Sequence, residues 1–278
     1  MPLASLRPVL EAAEARRGAA LGLVCLGWDD ALAFVRAGEA AGVPVILQAG
    51  PAARRAIPVA VWGAIFRTLG EGAAIDVVAH LDHGASAEEC FEALDHGFTS
   101  VMFDGSRLPL AENIRQTARV IDRAARFGAS TEAEIGFVGY DAGAASRGTD
   151  PSEAASFYEN APTDCLAVSV GNVHLQKSAE QKLDFERLRA LNAALDCPLV
   201  LHGGSGTKEP DRRRAISAHR VRKINLGTQM RQVHGQALRE TLARDPALFD
   251  RIKIQEPVTA AIAQAAQGAL KAAWDAAL

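Results

Sequence analysis

The chain has 278 residues, 49% hydrophobic and 23% charged, enough to bury the core of one large α/β domain. A formal net charge of −3 excludes a general polyanion-binding role, and the basic cluster Arg212-Arg213-Arg214 reads as a solvated helix face, so nucleic acid is not an expected partner. Cys25, Cys90, Cys165 and Cys197 are widely spaced with no Cys-x-x-Cys pair, which excludes a zinc ribbon or disulfide framework and leaves them as reduced core residues.

The amino-terminal segment has no basic-then-apolar signal pattern, and the apolar run at 19–27 is too short to span a bilayer. A soluble cytoplasmic protein with no membrane partner is expected. Along the rest of the chain, apolar runs rich in β-branched residues alternate with helical patterns, as parallel strands joined by crossover helices do. The first strand is expected at 21–26 with its helix at 29–41, the second at 43–48 with a helix at 58–69, and the third at 75–81 with a helix at 87–96. Ser86 ahead of Glu88-Glu89 opens that third helix and Gly97 ends it. The fourth strand at 100–103 precedes a helix at 110–127 that Gly128 stops, and the fifth at 130–135 precedes a helix at 151–160 that Asp150-Pro151 opens as cap and first-turn proline. Strands at 165–170, 198–201 and 221–226 follow, with helices at 185–195, 209–217 and 228–244, and an alanine-rich helix at 257–277 closes the chain. Eight units without an intervening linker predict a single α/β domain over residues 1–278, a (β/α)8 TIM barrel with an additional C-terminal helix. The small residues of that last helix suit either covering the barrel or packing against another subunit.

Three histidines stand where predicted strands end: His83 in His80-Leu81-Asp82-His83-Gly84, His174 in Gly171-Asn172-Val173-His174, and His202 in Leu201-His202-Gly203-Gly204-Ser205-Gly206. A lone histidine is ordinarily a structural residue. Three brought to the rim that carries active sites in this fold make a divalent-metal site with an open position, the arrangement of catalytic zinc, although three imidazoles also accept cobalt, iron or manganese. Asp82 beside the first histidine adds an acid, and metal plus adjacent acid points to Lewis-acid chemistry on a carbonyl. The same carboxylate could instead hold a histidine tautomer. His80 lies two residues before Asp82 on the same strand, where a position beneath the metal and a core role are equally open. His96, His219 and His234 read as structural. The Gly203–Gly206 loop suits an anion, since successive backbone N–H groups can converge on one.

The chain resembles the class II, metal-dependent ketose-bisphosphate aldolases, the family of fructose- and tagatose-bisphosphate aldolases. The motifs that carry the resemblance cover nearly the whole chain from about Val43. They are the His80–Gly84 run, Gly97-Phe98-Thr99-Ser100-Val101-Met102-Phe103-Asp104-Gly105-Ser106, Glu132-Ala133-Glu134-Ile135-Gly136, Thr149-Asp150-Pro151, Lys182-Leu183-Asp184-Phe185, the His202–Gly206 run and Lys223-Ile224-Asn225, with Asp245-Pro246 and Phe249-Asp250-Arg251 similar to the family's C-terminal region. The resemblance implies a carbon–carbon lyase of carbohydrate metabolism that acts on a ketose or ketose phosphate through a zinc-stabilised enediolate. It implies zinc or another divalent metal on His83, His174 and His202, and Asp82 as proton donor and acceptor at the substrate's C4 oxygen. Asp104 and Glu134 match acidic residues near the metal, able to hold a second cation, a monovalent one included, or to orient the ligands. Asn225 matches a residue that contacts the enediolate, and Gly203, Ser205 and Thr228 match phosphate-binding positions. A homodimer or homotetramer is implied as well.

The departures from the family cluster around the donor. Leu175 stands where the family has glycine after the second metal histidine, Gly50 where it has serine after the second strand, and Gly227 where it has aspartate two past the asparagine. The asparagine after the first strand is absent from Leu26-Gly27-Trp28-Asp29, and the mobile-loop glutamate is replaced around Asp141-Ala142-Gly143. A leucine at 175 could occlude an anion that glycine would let approach the backbone, so a non-standard donor is expected. Two other readings stay open: a different metal-dependent enediolate enzyme such as an epimerase, and a non-catalytic aldolase-like partner subunit.

Overall fold

The computed structural model describes residues 3–140, 143–178 and 180–276. Asp141 and Ala142, where the family's loop glutamate is replaced, lie outside the described residues, as does Ala277 at the predicted end of the last helix.

Eight parallel strands pair in sequence order and close on themselves: β1 (Ala20–Val24), β2 (Val45–Ala49), β3 (Val77–Gly84), β4 (Ser100–Phe103), β5 (Ser130–Ile135), β6 (Cys165–Val168), β7 (Leu199–Leu201) and β8 (Val221–Leu226). Every residue of β2, β5 and β8 is buried, because one face of each strand points into the barrel and the other is covered by helices. Charged residues on these strands are therefore in the barrel interior, and each needs a partner there. The outer ring comprises α2 (Trp28–Ala41), α4 (Val59–Gly72), α5 (Ala87–Asp95), α6 (Leu110–Ala125), α7 (Pro151–Asn160), α8 (Phe185–Ala194), α9 (Glu209–Ala218) and α10 (Thr228–Arg244). Between strands and helices the core is mostly aliphatic, with Trp62, Phe66 and Phe98 in one aromatic stack at 5.3 and 5.7 Å.

Three helices depart from the predicted elements. The first, α1 (Leu6–Arg16), was not expected, although Leu6, Val9, Leu10 and Ala13 form its buried stripe at helical spacing. It touches β1, β5 and β8, and the backbone of Arg7 donates to Ser130 Oγ at 2.8 Å while Glu14 pairs with Arg222. Since β5 lies across the barrel from β1 and β8, α1 plugs the N-terminal mouth and leaves the C-terminal mouth for chemistry. The second, α3 (Pro51–Ala56), is a short helix directly after β2. The third correction concerns α11 (Arg251–Trp274), which begins six residues before Pro257, where the sequence predicts its start. Asp250 accepts from the backbone N–H groups of Ile252 and Lys253, and this cap sets the helix start; Pro257 then sits inside the helix without breaking it. The face of α11 that buries Val258, Ile262, Ala266 and Leu270 packs on α2, α10 and β1, so it covers the barrel. No described helix is long and apolar enough to cross a membrane.

Candidate metal centre

Plain strand alternation would send Asp82 and His83 to opposite faces of β3. The strand does not alternate there. Leu81 pairs with Val101 and Gly84 with Phe103, so three steps on β3 face two on β4, and His83 sits at φ +52°. This bulge turns His83 inward, so that neighbouring residues both line the same cleft. Arg54 of α3 braces the distortion: its guanidinium donates to the carbonyls of Asp82 at 2.6 Å, His83 at 3.0 Å and Ala49 at 2.7 Å, and pairs with Glu89 at 3.2 Å.

His202 follows β7 directly, whereas His174 lies six residues beyond the end of β6, in the loop rather than at the strand end. Asn172 and Gly203 close that gap. The Asn172 amide bonds the His202 carbonyl at 3.0 Å, and Gly203, at φ +64°, lies so close to the Val173 carbonyl that an added Cβ would be 2.2 Å from it. The glycine is thus required by backbone geometry and by loop contact, independently of any anion. The three imidazole centroids lie 4.6 to 5.5 Å apart, and one ring nitrogen of each is within 4.8 Å of the other two.

Nε2 of His83, Nε2 of His174 and Nδ1 of His202 are buried and have no hydrogen-bond partner among the described residues. The opposite nitrogens of two of them are held: His83 Nδ1 donates to Asp104 at 2.7 Å, and His202 Nε2 to Glu132 at 3.0 Å. A carboxylate on the far nitrogen fixes the tautomer whose near nitrogen presents a lone pair. Orphaned buried nitrogens aimed at one point, each backed this way or stacked, suit a divalent cation of imidazole preference. Tyr140 lies over the His174 ring at 5.0 Å and 27°.

Asp104 therefore orients His83, with its other oxygen taken by the Ser106 hydroxyl at 2.6 Å. Glu134 gives one oxygen to the Val138 N–H at 3.0 Å; the other is unpartnered, 3.4 Å from His202 and 3.9 Å from His83. His83, Asp104 and Glu134 also present ligand atoms within 4.8 Å of one another, a second cation geometry. Sequence reasoning missed the role of Glu132, which accepts from Lys223 Nζ at 2.7 Å as well as from His202. The alternation Glu132-Ala133-Glu134 on one strand was the available signal, since both acids must then face the barrel. Beneath them His80 donates or accepts at Ser100 Oγ, 2.8 Å away, and burial with the Lys223 charge lowers its pKa to about 3, so it is a neutral core residue.

Asp82 has one oxygen fixed by Gln48 at 3.0 Å and Asn225 at 3.2 Å; the other faces the cleft near Gly50, whose added Cβ would be 3.4 Å away. Burial works against its charge, but His83, His202 and Lys223 outweigh it and hold the pKa below the usual aspartate value. Gly22 of β1 makes this possible: a side chain there would strike the Gln48 and Asn225 amides at 2.3 and 2.6 Å. Ser205 and Thr228 line the same cleft, of about 300 Å³, as does Leu175. The Ser205 oxygen accepts from the backbone N–H groups of Gly227 and Gln229 at 3.3 and 3.2 Å, which caps α10 and leaves its O–H to donate. Leu175 is at φ +60° and 48% exposed, a glycine-like conformation that costs a leucine about 1–2 kcal/mol.

The chain matches the family model described as fructose-bisphosphate aldolase class-II over residues 4–276. It is 35% identical over 281 residues to a probable fructose-bisphosphate aldolase of Bacillus subtilis, covering 98% of this chain and 97% of that one. It is 41% identical over 187 residues to a fructose-bisphosphate aldolase of Geobacillus stearothermophilus, in a match that spans 66% of this chain and 65% of the relative. The crystal structure of the YdjI aldolase from Escherichia coli K12 superposes with a TM-score of 0.87 at 30% identity, covering 98% of this chain and 97% of that one.

Replacing His83, His174 or His202 singly by alanine is expected to lower the content of about one divalent metal per chain without unfolding the barrel, read by elemental analysis beside a thermal melt. Full metal content in all three variants would refute the site.

Metal entry should also expel protons. Burial disfavours charge on His202, but the bond to Glu132 and the Glu134 carboxylate 3.4 Å from Nδ1 outweigh it and raise its pKa to about 10; burial opposes charge on His83 as well, but Asp82 and Asp104 raise its pKa, while burial and its two neighbours push that of His174 well down. A group with a raised pKa keeps its proton below that pKa, so at neutral pH the metal must displace at least one proton, and affinity should climb about tenfold per pH unit for each proton displaced. Calorimetry of metal binding in two buffers of different ionisation enthalpy gives the count; a value of zero contradicts the assignment.

Proposed function

Because the chain belongs to the class-II fructose-bisphosphate aldolase family, we propose that it is a metal-dependent aldolase that cleaves or forms a carbon–carbon bond beside the carbonyl of a ketose or ketose phosphate. The observation that carries this reading is the convergence of three orphaned imidazole nitrogens beside a carboxylate with one oxygen free. A divalent ion held by His83, His174 and His202 would supply the Lewis acid for negative charge developing at the donor carbonyl.

The protein's own contribution is proton placement and orientation. With one Asp82 oxygen fixed by two amide donors, the other is presented to the cleft in a single direction, and the lowered pKa keeps it ionised at neutral pH. It is thus poised to take the proton of the C4 hydroxyl as the C3–C4 bond breaks, and to return it in condensation. The Asn225 oxygen, buried and unpartnered, is available to the donor's hydroxyl. Tyr140 stacks on the His174 ring and forms part of the cleft wall on that side.

The donor pocket supports an unusual donor. Leu175 keeps the left-handed backbone that glycine would adopt there, but fills the approach with an isobutyl group. Gly50 leaves open the space beside Asp82 where the family has a hydroxyl.

Asp82→Ala should retain metal and fold while losing about 10²–10⁴-fold in cleavage rate, the usual worth of a general acid–base group. Cleavage of the true substrate at the parent rate would reduce Asp82 to a residue that merely positions its neighbours.

Fructose 1,6-bisphosphate and tagatose 1,6-bisphosphate are expected to be cleaved weakly or not at all, with better turnover of a ketose whose donor end is altered or lacks phosphate. Leu175→Gly should shift preference toward the standard phosphorylated donors. Steady-state assays on a ketose panel decide it: a parent kcat/KM for either bisphosphate near ~10⁴ M⁻¹s⁻¹ would return the chain to the standard family activity.

A further inference from the structure

The three imidazoles are not held alike. His83 and His202 each have a carboxylate on the nitrogen away from the cleft, but among the described residues no side chain hydrogen-bonds the ring of His174, against which Tyr140 only stacks. The aim of His174 therefore depends on its backbone, well out along the loop after β6. The peptide group between Val173 and His174 is pinned at both ends. Its N–H donates to the Gly139 carbonyl at 2.8 Å, and its carbonyl accepts from Gln181 Nε2 at 2.6 Å. Because the group is planar, these two bonds fix its rotation and with it the direction in which the His174 side chain leaves the chain. Gln181 is buried, its Oε1 accepts from the Thr207 hydroxyl at 3.1 Å, and its backbone N–H donates to the Gly206 carbonyl at 3.0 Å. One side chain thus joins the outgoing limb of the His174 loop, the returning limb and the loop that follows His202. The Val173 carbonyl can only accept, so the amide nitrogen must face it, which leaves the amide oxygen for the hydroxyl. Gly206 makes room for the amide: an added Cβ there would be 2.3 Å from Gln181 Nε2.

We propose that Gln181 is a positioning residue for the third metal ligand: it sets His174 through the Val173 carbonyl, in the part that Asp104 and Glu132 take directly on the other two rings. The proposal rests on the three-histidine metal reading and deepens it. Without the amide, the Val173 carbonyl loses its partner, the peptide group turns about its remaining bond to Gly139, and the His174 nitrogen leaves the point on which the other two converge. A side chain at 181 must offer a donor and an acceptor at this reach, which an apolar side chain of the same length does not.

The test compares the full-length parent with Gln181→Met, Thr207→Val, His174→Ala and the double variant Gln181→Met/His174→Ala, each checked for folding by a thermal melt. Zinc affinity is read by competition with metallochromic chelators of graded strength, and hydrogen–deuterium exchange is followed on the metal-free protein. Gln181→Met keeps the length of the side chain and removes its polar atoms. It should weaken zinc about 10–100-fold, the usual cost of losing a group that holds a ligand in place. Thr207→Val, which removes one bond at the edge of the clasp, should cost less, and it keeps the test readable if Gln181→Met does not fold. In the His174→Ala background Gln181→Met should cost nothing further, because the residue it acts through is gone. Exchange at residues 173–175 should rise in Gln181→Met while the strand amides stay protected. A zinc penalty that persists undiminished without His174 marks a general packing role and overturns the proposal. Parent zinc affinity in Gln181→Met, or unchanged exchange at 173–175, overturns it as well. A parent that binds no zinc would instead refute the metal centre itself.

Discussion

The structure turns on keeping four carboxylates, Asp82, Asp104, Glu132 and Glu134, inside the rim of one barrel. Burying an ionised carboxylate costs several kcal/mol unless it is paired and hydrogen-bonded. Here Lys223 answers Glu132, Asp82 takes two amides, Asp104 takes an imidazole and a hydroxyl, and Glu134 takes one backbone N–H. The remaining negative charge raises the proton affinity of His83 and His202, and it would favour a divalent ion as well. The field that suits the site to a cation is thus the one that favours protons on its imidazoles.

Positioning the three histidines has a second cost, in the backbone. Next to each imidazole lies a left-handed residue: His83 itself at φ +52°, Leu175 at +60° after His174, and Gly203 at +64° after His202. Only the last is free of strain by virtue of being glycine. The other two persist because surrounding contacts over-determine them: Arg54 holds three carbonyls around the β3 bulge, and the His174 N–H donates to Gly139 at 2.8 Å. Strain of this kind at a ligand loop is what a rigid site with a prescribed ligand geometry requires.

How much of this could be read from the sequence depends on the range of the interaction. β4, β5 and β8 have the predicted bounds because their apolar runs end at glycines, polar turns or helix signals that are local. The barrel and the meeting of the three histidines followed from chain order. The start of α11 was misplaced because a proline is a strong local signal and the Asp250 cap a weaker one, although the cap prevailed. The bulge at Asp82-His83 was not legible at all: strand alternation, applied faithfully, gives the wrong face for one of the two. Nor could Lys223 be paired with Glu132, 91 residues away, or Gln48 with Asp82, since only barrel closure brings β2, β3, β5 and β8 to one point. Tyr140 sits in a loop whose only periodicity is the short pairing of Phe137 with Arg147.

The same distinction explains where the chain departs from its family. His83, His202 and the rim carboxylates are tied to one another across the barrel, so changing one leaves a buried charge unpaired. The walls are different. Leu175 and Gly50 lie on a loop and a helix start at the open mouth, where a side chain can be added or removed against solvent. Even there position 227 is constrained: a Cβ at Gly227 would lie 2.8 Å from Arg231 Nη2 and 3.2 Å from a Val24 methyl. An over-determined centre ringed by loosely constrained walls separates the residues whose change would strand a buried charge from those whose change solvent can accommodate.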